Sequence, residues 1–303
     1  MRISPAITKE LGKYIAAHYS SQRRTRKGAR NQSVPSYWRA LPGWLAKKNF
    51  RSNTDRRAGN RFLRDVILGQ RLLYLAIRIQ DDLFDGQVQS RSLIYASDEL
   101  LIEADEVFSN YFSKDSRFWA LYRDCLRTTT QAIVEADRLQ KSHRTKPERI
   151  LKQYAKVCSI FKIGSAAVCA RSKRWRDFPQ VSRFCDEMAM AGQIIDDLTD
   201  VQEDLVRKRF NYAANIFYRS TSAGKAPNVM QRISQGYLTG NGLEKIFREV
   251  QTHVSKARKA IKSLRIPEAD AHLSRYEALV REIQDEFSRR RVNAFFGALL
   301  STE

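Results

Sequence analysis

Cysteine, glycine and proline are scarce in this sequence, and each shortage narrows the range of folds. The 303 residues contain 4 cysteines, 13 glycines and 7 prolines. The cysteines show no CxxC spacing and lie among apolar residues, which argues against a zinc site or a disulfide framework and predicts reduced thiols in a core. Few glycines and prolines, with no strand-like alternation, favour helices over sheets.

Long uncharged apolar runs are missing as well. No stretch of about 18 or more such residues occurs, as a membrane-spanning helix would require. Residues 1 to 30 also lack the apolar centre of a secretory signal. The sequence therefore predicts a cytoplasmic protein without a membrane span.

Acidic residues are rare in the N-terminal part. Residues 1 to 64 hold 16 Lys and Arg against only Glu10 and Asp55, in a chain of formal net charge +21. The densest run, from Arg23 to Arg30, suits an anionic membrane surface, nucleic acid or a phosphorylated substrate, unless it is a solvated arm or an organelle transit peptide. We predict a basic segment over residues 1–58, partly helical or disordered, that permits peripheral membrane association. Nucleic acid is the less favoured partner.

From residue 60 onward, apolar residues recur with the period of an α-helix. This pattern predicts helices over 60–85, 92–112, 117–141, 147–171, 180–208, 228–239, 241–264 and 268–297. There is no repeat of solenoid length and no long linker. We therefore predict an all-α protein, with a single large helical bundle over residues 59–303.

Two acidic motifs follow unusually apolar helical segments. The first is RLLYLAIRIQDDLFDG, which contains Asp81, Asp82 and Asp85. The second is GQIIDDLTDVQEDL, which contains Asp196, Asp197, Asp200 and Asp204. Residues four apart share a helix face, so carboxylates at this spacing repel one another. A solvated acidic face is the plain alternative, but it would lie on an amphipathic helix rather than after an apolar one.

Such carboxylate clusters are stable when cations neutralise them. Mg²⁺ is the natural cation because it prefers oxygen and combines one or two carboxylates with substrate phosphates and water. Two acidic helices facing each other could hold several Mg²⁺ ions with a diphosphate between them. Such a site would stabilise the charge on a departing diphosphate and turn an allylic ester into a carbocation.

The two motifs resemble those of the class I trans-isoprenoid synthases, an all-α family, and within it the squalene and phytoene synthases most. Their first motif has the form YxxxRxxDxxxD, matched by Tyr74, Arg78, Asp81 and Asp85. Their second runs from a glutamine to DxxED and a basic residue, matched by Gln193, Asp196, Asp200, Glu203, Asp204 and Arg209. The segment around Lys162 and Gly164 is similar to the KT(G/A) segment of chain-elongating prenyl diphosphate synthases.

The resemblance implies an isoprenoid synthase bundle that acts on a prenyl diphosphate with three Mg²⁺ ions and the following site residues. The metal ligands would be Asp81, Asp82, Asp85, Asp196, Asp197, Asp200 and Asp204, of which Asp81, Asp85, Asp196, Asp200 and Asp204 are the catalytic set. The diphosphate would be bound by Arg78, Lys162, Lys208 and Arg209. The cavity would be lined by Tyr74, Ile77, Gly164 and Gln193.

Four functions stay open at the level of sequence. Head-to-head condensation of two prenyl diphosphates is the leading hypothesis. A terpene cyclase or prenyl diphosphate lyase is the second. Chain elongation is the third, because the GKxxRP and RRG elements of elongating enzymes have no counterpart here. The last is a non-enzymatic basic helical protein that binds nucleic acid or membranes. The prenyl chain length, a requirement for NADPH, and the choice between monomer and homodimer also stay open.

Overall fold

The structure is a computed structural model that describes residues 5–26, 36–50, 53–221 and 228–300. The basic run from Arg23 to Arg30 lies outside these ranges, apart from the helix backbone up to Arg26. None of the helices within the ranges is long and apolar enough to cross a membrane.

The described residues form α-helices and no β-strand, which confirms the predicted all-α class. The helices are α1 (Pro5–Arg26), α2 (Tyr37–Asn49), α3 (Asn53–Phe84), α4 (Leu93–Ser109), α5 (Arg117–Gln140), α6 (Pro147–Val157), α7 (Ile163–Arg171), α8 (Phe178–Thr199), α9 (Val201–Val206), α10 (Tyr212–Arg219), α11 (Val229–Leu238), α12 (Gly242–Lys262) and α13 (Pro267–Leu300).

The chain forms two compact units, each made of two segments. Unit 1 comprises residues 1–126 and 160–178, and unit 2 comprises residues 127–159 and 179–303. In unit 1, α3 packs along α4 and also contacts α2 and α7. In unit 2, α10 packs on α11 and α12, and α13 packs on α11 and α12. All four cysteines are buried thiols, as the sequence predicts.

Helix α3 carries the first acidic motif and is the centre of unit 1. Its apolar residues recur every three or four positions, and Phe62, Val66, Leu73 and Ile79 are almost fully buried. The helix ends at Phe84, because Gly86 adopts a left-handed conformation with φ of +68°, which glycine allows without steric cost. The motif therefore lies at the C-terminal end of a long, firmly packed helix.

The predicted helix over 147–171 is interrupted, and this prediction was wrong in that respect. Residues Cys158–Lys162 form a tighter 3₁₀ turn between α6 and α7. The side chain of Gln70 occupies the break. It donates to the carbonyl of Ile160 at 2.9 Å and accepts from the N–H of Gly164 at 2.6 Å. A buried amide from α3 thus satisfies backbone groups that a continuous helix would have paired.

Helix α10 was not predicted from the sequence. It begins after Asn211, whose side chain accepts from the N–H of Ala214 at 2.9 Å in the manner of an N-terminal cap. Asn211 is fully buried, and the same side chain also contacts the second acidic motif. The local signal is an asparagine before an apolar run, which marks a helix start.

Candidate active site

The first acidic motif lies where α3 ends. Asp81 and Asp82 belong to the last turn of α3, and Asp85 follows it, with its N–H donating to the carbonyl of Asp81 at 2.8 Å. This last turn contains no basic residue. The C-terminal end of a helix carries a partial negative charge, so carboxylates are disfavoured there unless a cation compensates them.

Asp82 differs from its neighbours because it is buried and bound by other protein groups. Its exposed fraction is 5%. The guanidinium of Arg78 lies 2.8 Å from one carboxylate oxygen, and the hydroxyl of Tyr14 donates to the other at 2.6 Å. Arg78 also reaches Asp81 at 3.4 Å. Burial alone would lower the pKa of Arg78, but Asp82 and Asp81 outweigh it and raise that pKa, so the guanidinium stays charged.

Tyr14 is a site residue that sequence reasoning missed. It lies on α1, 68 positions before Asp82, and is itself buried. A second contact joins the same two regions, because Ser90 donates to Glu10 at 3.3 Å. Nothing in the local sequence around Tyr14 indicates this pairing, which depends on how α1 packs in unit 1.

The second acidic motif spans a helix break. The sequence predicted one helix over 180–208, whereas α8 ends at Thr199 and α9 begins at Val201. The Thr199 hydroxyl donates to the carbonyl of Asp196 at 2.8 Å, a side-chain bond that competes with the backbone ladder. The helical i to i+4 hydrogen bonding nevertheless continues through the break. The N–H of Asp200 donates to the carbonyl of Asp196, and the N–H of Asp204 donates to the carbonyl of Asp200, each at 2.9 Å. As in α3, the last turn of α8 has no basic residue.

Asp197 occupies the same place in the second motif as Asp82 does in the first. It is buried, its carboxylate accepts from the hydroxyl of Tyr154, and the N–H of Tyr212 donates to it at 2.6 Å. Burial raises the pKa of Asp197 to about 8, despite the opposing effect of these two hydrogen bonds. Asp82 and Asp197 are thus both held by protein donors in the interior, and their role as metal ligands stays a prediction.

The remaining carboxylates of the second motif are more accessible and electrostatically strained. Asp196 and Asp200 are exposed, and Asp204 is half-buried. Partial burial and the charge of Asp204 raise the pKa of Asp200. Partial burial also raises the pKa of Asp204, against the effect of a 2.8 Å hydrogen bond from Asn211. A cation beside these groups would relieve the strain.

The predicted diphosphate ligands have different surroundings. Arg78 and Lys162 belong to unit 1, and Lys208 and Arg209 belong to unit 2. Lys208 is exposed in the turn after α9, with φ of +59°. Arg209 donates to the side chain of Gln140 at 3.1 Å, which fixes its direction. Lys162 ends the 3₁₀ turn, directly before α7.

Three aromatic rings from different segments of unit 1 cluster around Tyr74. Trp38 of α2 stacks on Phe161 with ring centroids 4.8 Å apart. Tyr74, one turn before Arg78, lies 5.1 Å from Trp38 and 6.1 Å from Phe161. Tyr74 was predicted to line a cavity, whereas Trp38 and Phe161 were missed because they come from distant segments. Aromatic faces such as these can support a cation.

The other predicted cavity residues are placed as follows. Ile77 is buried in α3, and Gln193 donates to the carboxylate of Asp196 at 3.3 Å. Gly164 lies in a tight helix contact, where an added Cβ would approach Gln70 Oε1 to 2.8 Å and Pro42 Cγ to 3.2 Å. Its small size therefore serves the packing of α7, which differs from the cavity role predicted for it.

The donor set of both motifs is suited to Mg²⁺ in the presence of a substrate. Within the described residues, no three Asp, Glu, His or Cys side chains converge closely enough to hold a metal ion by themselves. Mg²⁺ characteristically takes one or two carboxylates and completes its shell with water and phosphate oxygens. The outward carboxylates Asp81, Asp85, Asp196, Asp200 and Asp204 are compatible with that kind of binding.

Comparison with solved structures identifies the fold. The chain superposes on a polyprenyl synthase from Roseobacter denitrificans with a TM-score of 0.63 and 14% identity, covering 92% of this chain and 100% of that one. An octaprenyl pyrophosphate synthase from Helicobacter pylori gives 0.63 and 13%, covering 91% and 97%. A geranylgeranyl pyrophosphate synthetase from the archaeon Geoglobus acetivorans gives 0.61 and 12%, covering 94% and 99%.

The chain has the class I isoprenoid synthase fold. This confirms the predicted fold, while the particular closeness to squalene and phytoene synthases stays a prediction. No protein-family profile matches the sequence, and no curated protein is similar to it in sequence.

Proposed function

We propose that this protein is a Mg²⁺-dependent prenyltransferase that ionises an allylic prenyl diphosphate and lengthens it with isopentenyl diphosphate. The observation that carries the proposal is the similarity, over nine-tenths of the chain, to enzymes named as polyprenyl and geranylgeranyl synthases. It favours chain elongation, which the sequence placed third, over head-to-head condensation.

The acidic motifs support the ionisation step. Each presents carboxylates at the negative end of a helix that has no basic residue in its last turn. Bound Mg²⁺ would supply Lewis-acid stabilisation of the departing diphosphate. Asp81 and Asp85 would serve this purpose in unit 1, and Asp196, Asp200 and Asp204 in unit 2.

The remaining residues would orient and protect the reactants. Arg78 holds Asp81 and Asp82 in place, and Lys162 would bind a phosphate oxygen. The Trp38, Tyr74 and Phe161 rings would line an apolar wall that excludes water from a cation. Elongation forms a carbon–carbon bond to isopentenyl diphosphate, releases inorganic diphosphate and loses one proton. It is not a reduction, so the proposed reaction needs no NADPH.

The test is turnover of farnesyl or geranylgeranyl diphosphate with Mg²⁺, with and without isopentenyl diphosphate. We expect the substrate to be consumed only when isopentenyl diphosphate is present, with products that grow by five carbons.

A second test is a substitution at Lys162. Lys162→Gln should raise the KM for a diphosphate substrate by about tenfold, because the loss of one hydrogen-bonded ion pair is of that order. Lys152→Gln, at an exposed lysine of α6, is the matched control and should leave KM unchanged.

Head-to-head condensation is the second candidate, because Tyr74, Arg78, Asp81 and Asp85 match the spacing of that class. Products of doubled carbon number, formed without isopentenyl diphosphate, would establish it and exclude the elongation proposal. Products with the carbon number of the substrate would instead identify a cyclase or lyase.

A further inference from the structure

One exposed face of α3 carries four arginines in a line. Arg57, Arg61, Arg64 and Arg71 are all exposed. At 3.6 residues per turn they lie within a band about 80° wide, and at a rise of 1.5 Å per residue they extend over about 21 Å. We call this face the arginine stripe.

The arginine stripe lacks the acidic partners that other exposed arginines of this protein have. Arg138, Arg207 and Arg290 each pair with a glutamate three or four positions earlier on their own helix. In the part of the chain that the structure describes, none of the four stripe arginines forms an ion pair. The one carboxylate at such a spacing, Asp65, accepts a hydrogen bond from Tyr111. The arginine stripe therefore presents four positive charges that form no ion pair with another described residue.

Apolar side chains lie between these charges. Leu68 is 48% exposed in the middle of the arginine stripe, among the large hydrophobic side chains that the structure leaves accessible. Along one edge of the arginine stripe, Leu63 and Ile67 line a shallow depression of about 530 Å³ together with Arg57, Asn60 and Arg64. The face therefore combines a basic rim with apolar contact area.

We propose that the arginine stripe docks the protein on an anionic phospholipid bilayer. The guanidinium groups would bind lipid phosphates, and Leu68 would enter the boundary between headgroups and acyl chains. Charge complementarity alone would also allow a nucleic acid. In that case, however, the exposed Leu68 would face phosphates. The four arginines and Leu68 also include no aromatic ring that could stack on bases. The combination of basic and apolar groups therefore favours the bilayer.

This inference does not rest on the proposed function, and of the stripe arginines only Arg57 belongs to the basic segment over residues 1–58. The stripe ends at Arg71, ten residues before Asp81, and contains no residue assigned to the acidic motifs. A variant of the stripe should therefore lose membrane binding and keep its turnover of soluble substrate.

The test is binding of the full chain to vesicles of phosphatidylcholine with and without phosphatidylglycerol. The stripe variant replaces Arg57, Arg61, Arg64 and Arg71 with Gln. The control variant replaces Lys152, Arg183, Lys259 and Lys262 with Gln. These four residues are exposed and belong to unit 2, and their substitution removes the same number of positive charges. We expect the stripe variant to bind anionic vesicles on the order of 100-fold more weakly, and the control less than about threefold more weakly.

A second pair of variants tests the apolar part. Leu68→Gln should weaken binding to anionic vesicles by several-fold and leave binding to duplex DNA unchanged, whereas Met230→Gln, at a similarly exposed residue of α11, should change neither. Circular dichroism and turnover of soluble substrate establish that all variants are folded. Equal losses in the stripe and control variants would overturn the proposal, since binding would then follow net charge alone. A stripe variant that loses DNA binding but keeps vesicle binding would overturn it as well.

Discussion

In each acidic motif, the second aspartate points inward and accepts a hydrogen bond from a tyrosine of a different helix. Asp82 is bound by Tyr14 and Asp197 by Tyr154. The other aspartates of each motif are more exposed, so each acidic run contains two kinds of carboxylate, one buried and one accessible to solvent. Buried carboxylates with protein donors fix the end of each helix.

The outward aspartates should be essential for turnover but not for folding. Asp81→Asn or Asp200→Asn keeps the side-chain shape and removes a charge that Mg²⁺ requires, so we expect turnover to fall more than tenfold, about 1.4 kcal/mol or more. In EDTA, the unfolding temperature of Asp200→Asn should equal or slightly exceed that of the original protein. The raised pKa of Asp200 means that the metal-free fold disfavours its charge, which the substitution removes.

Asp98→Asn, at an exposed aspartate of α4, is the control for the loss of one negative charge. The metal assignment would be wrong if both Asp81→Asn and Asp200→Asn retained more than about a tenth of the original activity.

His253 should make the stability of the protein depend on pH above neutrality. It is buried between Glu187, at 2.6 Å from Nδ1, and Glu249, at 3.1 Å from Nε2. Burial alone would lower the pKa of His253, but the two carboxylates raise it above its ordinary value of 6.5. The folded state therefore binds the proton more tightly than the unfolded state. The resulting stability is complete below about pH 6.5 and is lost as the pH rises through the raised pKa.

Chemical unfolding at intervals from pH 5.5 to 9 measures this effect. His253→Gln removes the titrating group, so the free energy of unfolding should decrease less in the variant as the pH rises. Any contribution from Asp197 is present in both proteins and cancels in the difference. Identical pH profiles for the two proteins would contradict a charged His253 in the fold.

At the scale of helices, one glycine should be intolerant of a methyl group and another should accept it. Gly164→Ala places a Cβ 2.8 Å from Gln70 and 3.2 Å from Pro42, so we expect a loss of about 1 to 3 kcal/mol in the free energy of unfolding. Gly43→Ala in α2 meets nothing within 4 Å and should stabilise unit 1 by about 0.5 to 1 kcal/mol. Denaturant titration of both variants is the measurement, and similar effects of the two would refute the packing argument.

The helices show what can be predicted from the sequence. Apolar periodicity located α3, α5 and α12 to within a few residues, except at the N-terminus of α3, because each of these helices buries one continuous face. Periodicity could not find the breaks at residues 158–162 and at Asp200. The first depends on Gln70 from α3, and at the second the side chains of Thr199 and Asn211 donate to the carbonyls of Asp196 and Asp197. The acidic motifs were visible because their residues are close in sequence. Tyr14, Trp38 and Asn211 were missed because only packing brings them to their partners.

For the whole molecule, the fold should be independent of divalent cations although turnover should require them. Among the residues that the structure describes, no three potential metal-ligating side chains converge, so EDTA should leave helicity and the unfolding temperature unchanged. Mg²⁺ with inorganic diphosphate should raise the unfolding temperature, since a ligand at 100 times its Kd adds about 2.7 kcal/mol. Loss of helical circular dichroism in EDTA would show instead that the metal is structural.

The four cysteines are divided equally between the two units. Cys125 and Cys169 belong to unit 1, and Cys158 and Cys185 belong to unit 2; all are buried, and burial raises the pKa of Cys169 to about 12. A thiol reagent can modify such residues only while the surrounding structure is transiently open. Modification rates, resolved by peptide mass spectrometry, would therefore report the opening equilibrium of each unit separately, in the unaltered protein and at a series of substrate concentrations.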